Sequence, residues 1–217
     1  MTEEDERYQR HLELTFKYDR MYRSQIIYEA TAIEGQIESI IASHYCPDEE
    51  RHLSFISLLF NRAEVPLSKK IEILEVLLKD HYPDLLEELP GLINKLDSIR
   101  RLRNKFAHAE LLLDEEKLKE VPKGVYLRRI DRNGKVVTDF ISAEDADRRI
   151  VMANNLGFFI FFLYVEIQKR AKGEKPNQFA RIFKALKVKY PDTFGAEAQP
   201  AKRGFGSNLM SGRPRNG

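Results

Sequence analysis

Residues 90–109, PGLINKLDSIRRLRNKFAHA, set the terms for the rest of the chain. Leu92, Leu96, Ile99 and Phe106 recur at helical spacing, which predicts a helix from about Pro90 to about Ala109. The last turns of that helix, Arg103-Asn104-Lys105-Phe106-Ala107-His108, set a permanently charged guanidinium five positions from an imidazole. An Arg holds a phosphate or carboxylate and a His moves a proton near neutral pH, so the pairing suits phosphodiester chemistry. No other segment competes with it as a reactive centre.

Upstream, residues 6–45 read as helix, with Ile26, Ala30, Ile33, Ile37 and Ile40 forming a stripe that faces a core. Glu34 lies beside that stripe. Cys46-Pro47-Asp48 breaks it, because proline pushes its predecessor out of the helical region. Leu53–Phe60 is a short, dense apolar helix, and Ser68 starts another that runs to about Lys79.

Downstream the period changes from helix to strand. Val125–Asp131 and Lys135–Ile141 are β-rich and flank Asn133-Gly134, a strong hairpin signal. A two-residue turn there pairs Leu127 with Phe140 and Arg128 with Asp139. Ser142 then caps a helix that continues to about Ala171. Between Ile150 and Ile167 that helix is apolar almost all round, as expected of a core or a subunit interface.

The 217 residues, 42% apolar and 32% charged, are a soluble globular composition with room for one hydrophobic core. A lone cysteine, Cys46, excludes an internal disulfide and fits a reducing compartment. Thr2-Glu3-Glu4-Asp5-Glu6 is the opposite of a basic secretory leader, and the greasy run Leu156–Val165 is about half a membrane span. A cytoplasmic protein without a membrane span is the expectation. The net charge of +2 is unevenly spread: Lys169–Gly217 carries 12 Lys or Arg against Glu174, Asp192 and Glu197, a net +9, leaving −7 on the remainder. The fold class expected is all-α: an antiparallel bundle of about five helices over residues 1–172, with a small β-hairpin insertion at about 124–141. Residues 173–217 are expected as a basic, largely disordered tail, dispensable for folding, with a short helix over 178–190.

The Arg103-Asn104-x-x-x-His108 motif at the end of a long helix resembles the signature of the HEPN superfamily (higher eukaryotes and prokaryotes nucleotide-binding). Arg103 matches the signature Arg, Asn104 the polar residue after it and His108 the His; residues 6–171 are similar to the family's bundle only in general character. The resemblance implies a metal-independent endoribonuclease, active as a homodimer with both motifs at the interface, as in many toxin and phage-defence effectors. It implies attack of the ribose 2′-hydroxyl on its own phosphate. His108 would relay protons, Arg103 would neutralise the phosphorane, and Asn104 would orient the phosphate or the ring. No cofactor and no metal are needed; RNA is the expected partner, and a protein antitoxin or regulator is left open.

Helical geometry leaves two readings. Five residues are a rotation of about 140°, so Arg103 lies within the apolar stripe while His108 points nearly opposite. In the first reading Arg103 is a buried guanidinium paired with an acid such as Glu34, and His108 is a surface residue. In the second the stripe opens into a dimer cleft and the helix unwinds near Ala107. Arg100, Asn104 and His108 share a face, which makes Arg100 a candidate for phosphate contact. His44, Cys46 and His52 fit no common zinc spacing. The basic hairpin residues Arg128, Arg129, Arg132 and Lys135 read first as guards against edge pairing. The alternative function is a non-catalytic helical regulatory or antitoxin-like binding module.

Overall fold

A capping box starts the first helix: Thr2 Oγ1 accepts from the Asp5 amide at 3.2 Å, and the Asp5 carboxylate accepts from the Thr2 amide at 2.7 Å. From there α1 runs through Glu3–Tyr45. The computed structural model describes residues 2–61, 64–113, 124–131, 133–174 and 179–194. It is mostly helical, with a small antiparallel sheet. After α1 come α2 (Glu49–Ile56), a π-helical turn (Ser57–Asn61), α3 (Leu67–His81), α4 (Pro83–Glu88) and α5 (Leu92–His108). Strands β1 (Glu110–Leu111), β2 (Gly124–Ile130) and β3 (Val136–Ser142) follow, then α6 (Ala143–Ala171), α7 (Phe179–Lys189) and α8 (Pro191–Phe194).

The isoleucine stripe of α1 organises the packing. Ile33, Ile37, Ile40 and Ile41 join Leu74 and Leu78 of α3, Leu92, Leu96 and Ile99 of α5, and Leu156, Phe159, Ile160 and Leu163 of α6 in one buried cluster. Tyr22 and Ile26, farther toward the start of α1, meet Leu102 and Phe106 of α5 together with Val125, Leu127 and Ile141 of the sheet. Thus α5 runs against α1. The arrangement is not antiparallel throughout: Asn154 reaches Glu29, and Gly157 lies over Ile33, so α6 runs parallel to α1.

The hairpin is present, but its register differs from the expected one. Tyr126 faces Phe140 and Leu127 faces Asp139, one residue away from the pairing a two-residue turn imposes. Asp131 is the cause. Its side chain accepts from the amides of Asn133 and Lys135 at 2.8 Å, its own amide donates to the Lys135 carbonyl at 2.8 Å, and Gly134 sits at φ 75°. This is a three-residue loop closed by a left-handed glycine, and it outcompetes the tighter turn. A strand that the sequence reading lacks, β1, pairs with β2 at Glu110–Arg128 and Leu111–Leu127.

The C-terminal helix is also no mere appendage. Gly173, at φ 72°, ends α6 in a Schellman motif, its amide donating to the Arg170 carbonyl and the Glu174 amide to that of Lys169. Beyond it, Phe183 of α7 is fully buried, its ring edge-on to Phe159 at 4.9 Å. Lys187 reaches Glu88 at 3.3 Å, and Asn155 donates to Thr193 at 3.4 Å. Residues 179–194 therefore complete the core, which corrects the expectation of a tail dispensable from residue 173. The glycine-rich stretch 195–217 and Arg132 lie outside the described residues.

Candidate functional site

The motif sits on the final turns of α5, and the chain has gone to some length to hold them. The helix is regular through His108, with Ala109 as its cap in extended backbone and the Ala109 amide bonded to the Lys105 carbonyl at 3.1 Å. It does not unwind near Ala107. Arg23 of α1 explains why. Its guanidinium donates to the carbonyls of Phe106 and Ala109, two of the groups that a helix end leaves without intrahelical partners. Asp19 holds Arg23 from one turn earlier, with Nη2–Oδ1 at 2.9 Å and Nε–Oδ2 at 3.3 Å. A cation at a helix C-terminus also complements the macrodipole. Immediately afterwards β1 pins the chain to the sheet.

Because the helix stays regular, Arg103 and His108 leave it on flanks about 140° apart. Arg103 is half-buried and His108 is exposed. Asn104 joins the two flanks: its Oδ1 accepts from Arg103 Nη1 at 3.1 Å, while its position lies one turn before His108. The partner expected for Arg103 is a different one. Glu34 does not pair with Arg103; its carboxylate, with that of Glu38, grips the buried ammonium of Lys70 at 2.5 Å each. Burial alone would depress Lys70, but the hydrogen bonds it donates to Glu34 and Glu38 outweigh it and raise its pKa. Glu34 belongs to the support of α3, not to the motif.

Arg100 shares the outer flank with Asn104 and His108, tied to Asp97 at 2.6 Å, and Arg101 grips the other oxygen of the same carboxylate. Burial works against the Asp97 charge, yet the hydrogen bonds from Arg101 and Arg100 win and hold its carboxyl below the usual range. On the neighbouring flank Lys105 reaches Asp139 of β3 at 3.1 Å, and Arg129 shares that carboxylate at 3.3 Å. The outer side of α5 is therefore a polar, predominantly basic ridge ending at His108.

Sequence reasoning missed Asp19 and Arg23, and Lys105 as the link to the hairpin. The i, i+4 spacing of Asp19 and Arg23 beside the α1 stripe was a signal for a buttressing pair; nothing local indicated a target 83 residues away. His44 shares a hydrogen bond with the Tyr82 hydroxyl at 2.9 Å and lies 4.4 Å from the His81 ring. Burial and then the neighbouring His81 push its pKa down. Among the described residues, no three His, Cys, Asp or Glu side chains converge as a metal-ligand set. No family model, curated protein or solved structure matches the chain.

Proposed function

We propose that the protein is a metal-independent endoribonuclease of HEPN type, cutting RNA at a site built from Arg103, Asn104 and His108 across a homodimer. One observation carries the reading: Asn104 couples the inner Arg103 to the outer flank of a helix end that Asp19 and Arg23 brace, and His108 is exposed there. Bracing an otherwise fraying helix end is expected where side-chain position matters.

The chemistry needs few parts. A base removes the proton of the ribose 2′-hydroxyl, whose oxygen bonds to the adjacent phosphorus. The bond from phosphorus to the 5′-oxygen breaks, and an acid returns a proton to that oxygen. The products are a 2′,3′-cyclic phosphate and a 5′-hydroxyl. One imidazole cannot be acid and base at once, so two copies of His108 would divide the roles. The guanidinium of Arg103 would take the charge of the phosphorane in a bidentate grip. Since Arg103 and His108 of one copy diverge, the Arg of one protomer would serve the His of the other. A cytoplasmic location and a helical frame in which α5 runs antiparallel to α1 go with this reading.

The test is cleavage of a defined RNA in EDTA, followed by analysis of the new 3′ ends. Cyclic phosphate products, lost in Arg103→Ala and in His108→Ala while both variants keep the helical circular dichroism of the wild type, would support the assignment. A wild-type protein that leaves RNA intact would reject it.

One observation favours the alternative, a non-catalytic binding module. The apolar exposed side of the molecule lies between α1 and α6, where Tyr28, Phe158 and Phe161 are open. Tyr28 is about 140° around α1 from Arg23, so copies joined there would hold their motif helices on the outside.

A further inference from the structure

The recess flanked by α5, β3 and α6 has a composition unlike the rest of the surface. Ser98, Arg101 and Lys105 of α5, Phe140 of β3, and Asp145 and Arg149 of α6 line a hollow of about 260 Å³. Its carboxylates do not balance its cations. Asp97 is shared by Arg100 and Arg101, Asp139 by Lys105 and Arg129, and Asp145 pairs with Arg149, leaving a net +2. That excess stands against a net −7 over residues 1–168. The cations at the mouth are accessible: the side chains of Arg101 and Arg149 are 72% and 42% exposed.

An aromatic ring stands in the same place. Phe140 is 48% exposed, and Tyr126 on the adjacent strand backs it at 4.7 Å. An isolated exposed Phe is unremarkable, but one mounted on a second ring beside unbalanced cations is a stacking platform of the kind that single-stranded nucleic acid uses. Register explains the mounting. The three-residue loop set by Asp131 puts Tyr126 opposite Phe140; the tighter turn would have put Leu127 there instead. Lys105, which lines the recess, precedes His108 by three residues, a rise of about 4.5 Å and a rotation of about 60° in azimuth.

We propose that this recess is the docking site for single-stranded RNA flanking the scissile bond. Phosphates occupy the excess positive charge of Arg101, Lys105 and Arg149, and one unpaired base stacks on Phe140. The choice of RNA among polyanions rests on the ribonuclease reading; the site itself rests on the ring and the charges. Duplex RNA does not satisfy it, because paired bases keep their faces in the helical stack.

The experiment measures binding of a fluorescent 2′-O-methyl oligouridylate of eight nucleotides, which cannot be cleaved, alongside cleavage of the unmodified strand, all with the full chain. Phe140→Leu, which keeps an apolar cover over Tyr126, is expected to weaken binding about tenfold. The double variant Arg101→Gln, Arg149→Gln is expected to flatten the slope of log affinity against log salt by about 1.4. Phe161→Leu, on the opposite side of the molecule, is the control and should bind as the wild type does. If the wild type cleaves RNA but Phe140→Leu and the double variant keep wild-type affinity and KM, the docking site is overturned and the ribonuclease reading stands. If the strand binds with the expected dependence but is never cut, the site stands and the ribonuclease reading falls. Equal affinity for a perfect RNA duplex would also overturn the single-strand site.

Discussion

Along the outer flank of α5, Asp97, Arg100, Arg101, Asn104, Lys105 and His108 present a charged or polar group at every turn. The sixteen residues of α6 from Ile150 to Val165 contain no charged side chain, and Val151, Phe158 and Phe161 are exposed at 57%, 48% and 46%. Both helices bury an apolar stripe against α1, so the difference lies wholly in what they offer to the outside. The flank of α5 is a surface that water solvates, each carboxylate holding one or two cations. The outer side of α6, with Tyr28 opposite and the small residues Ala32 and Gly157 between, is a surface that water does not reward. An 18-residue window of α6 has mean hydropathy 1.8 and is only 39% buried. The fold itself illustrates how such a surface is covered, since Phe183 of α7 closes over Phe159 farther round the same helix. With roughly 150–250 Å² per large aromatic, the open rings amount to a few hundred Å², the scale of a functional patch.

The largest effect expected concerns the polar side. Arg103→Ala and His108→Ala should each lower RNA cleavage by at least about 10²-fold, read as initial rates in EDTA. His108→Ala should leave thermal stability close to wild type because the residue is exposed. Arg103→Ala should not orphan Glu34, whose charge Lys70 answers, and a large loss of stability in that variant would mean that Arg103 is chiefly structural. The next test is inside the core. Phe183→Ala should cost about 3–5 kcal/mol by urea denaturation, as deletion of a buried aromatic does, whereas Phe161→Ala in the monomer should cost well under 1 kcal/mol. Equal costs would mean that the two sides of α6 are not as different as their exposure indicates.

Lys70→Met leaves Glu34 and Glu38 facing each other with no cation between, and should cost about 3 kcal/mol near neutral pH. Because the Lys70 pKa is raised in the folded state, its contribution should be lost as pH rises through that folded pKa, a dependence Lys70→Met should lack; the same alkaline limb in wild type and variant would separate Lys70 from those acids. On the binding-module reading copies join through the apolar side, and Phe161→Glu should abolish self-association, seen by sedimentation as a shift to the 25.4 kDa monomer with unchanged circular dichroism, whereas a dimer joined across the motif helices should survive it. A wild-type protein already monomeric at micromolar concentration would remove the second copy from this face. The smallest effect is electrostatic. The Asp97 carboxyl titrates below its unfolded value, so its contribution is present above about pH 4 and is lost as pH falls through the folded pKa. Asp97→Asn should therefore flatten the acid limb of the stability curve by less than about 1 kcal/mol.

Local signals carried the helices well, because their causes are local. The spacing of Leu92, Leu96, Ile99 and Phe106 placed the end of α5 within a residue, and Ser142 does cap α6, its Oγ accepting from the Asp145 amide at 3.1 Å. What escaped depended on a choice between neighbours or on a distant partner. Asn133-Gly134 signalled a turn, but Asp131 decided which turn, and the register shifted with it. Glu34 looked available to Arg103 because both lay beside apolar stripes; Lys70, 36 residues away in sequence, reached it first. A short helix over 178–190 was expected, yet only the surface left open by α6 gave its Phe183 a place to go.

The guanidinium of Arg23 on the end of α5 has a consequence for motion. Terminal turns of helices open and close continually, and their amides exchange with solvent in times set by that fraying. Here the carbonyls of Phe106 and Ala109 are held by a side chain 83 residues before Phe106 in the sequence, and the Ala109 amide is bonded back to Lys105. To release the turn that carries His108, the chain must first withdraw Arg23 from its place beside Asp19 and expose Phe106. Deuterium should thus enter the Ala109 amide no faster than it enters the middle of α5, and Arg23→Met should hasten its entry there while the centre of the helix keeps its wild-type rate.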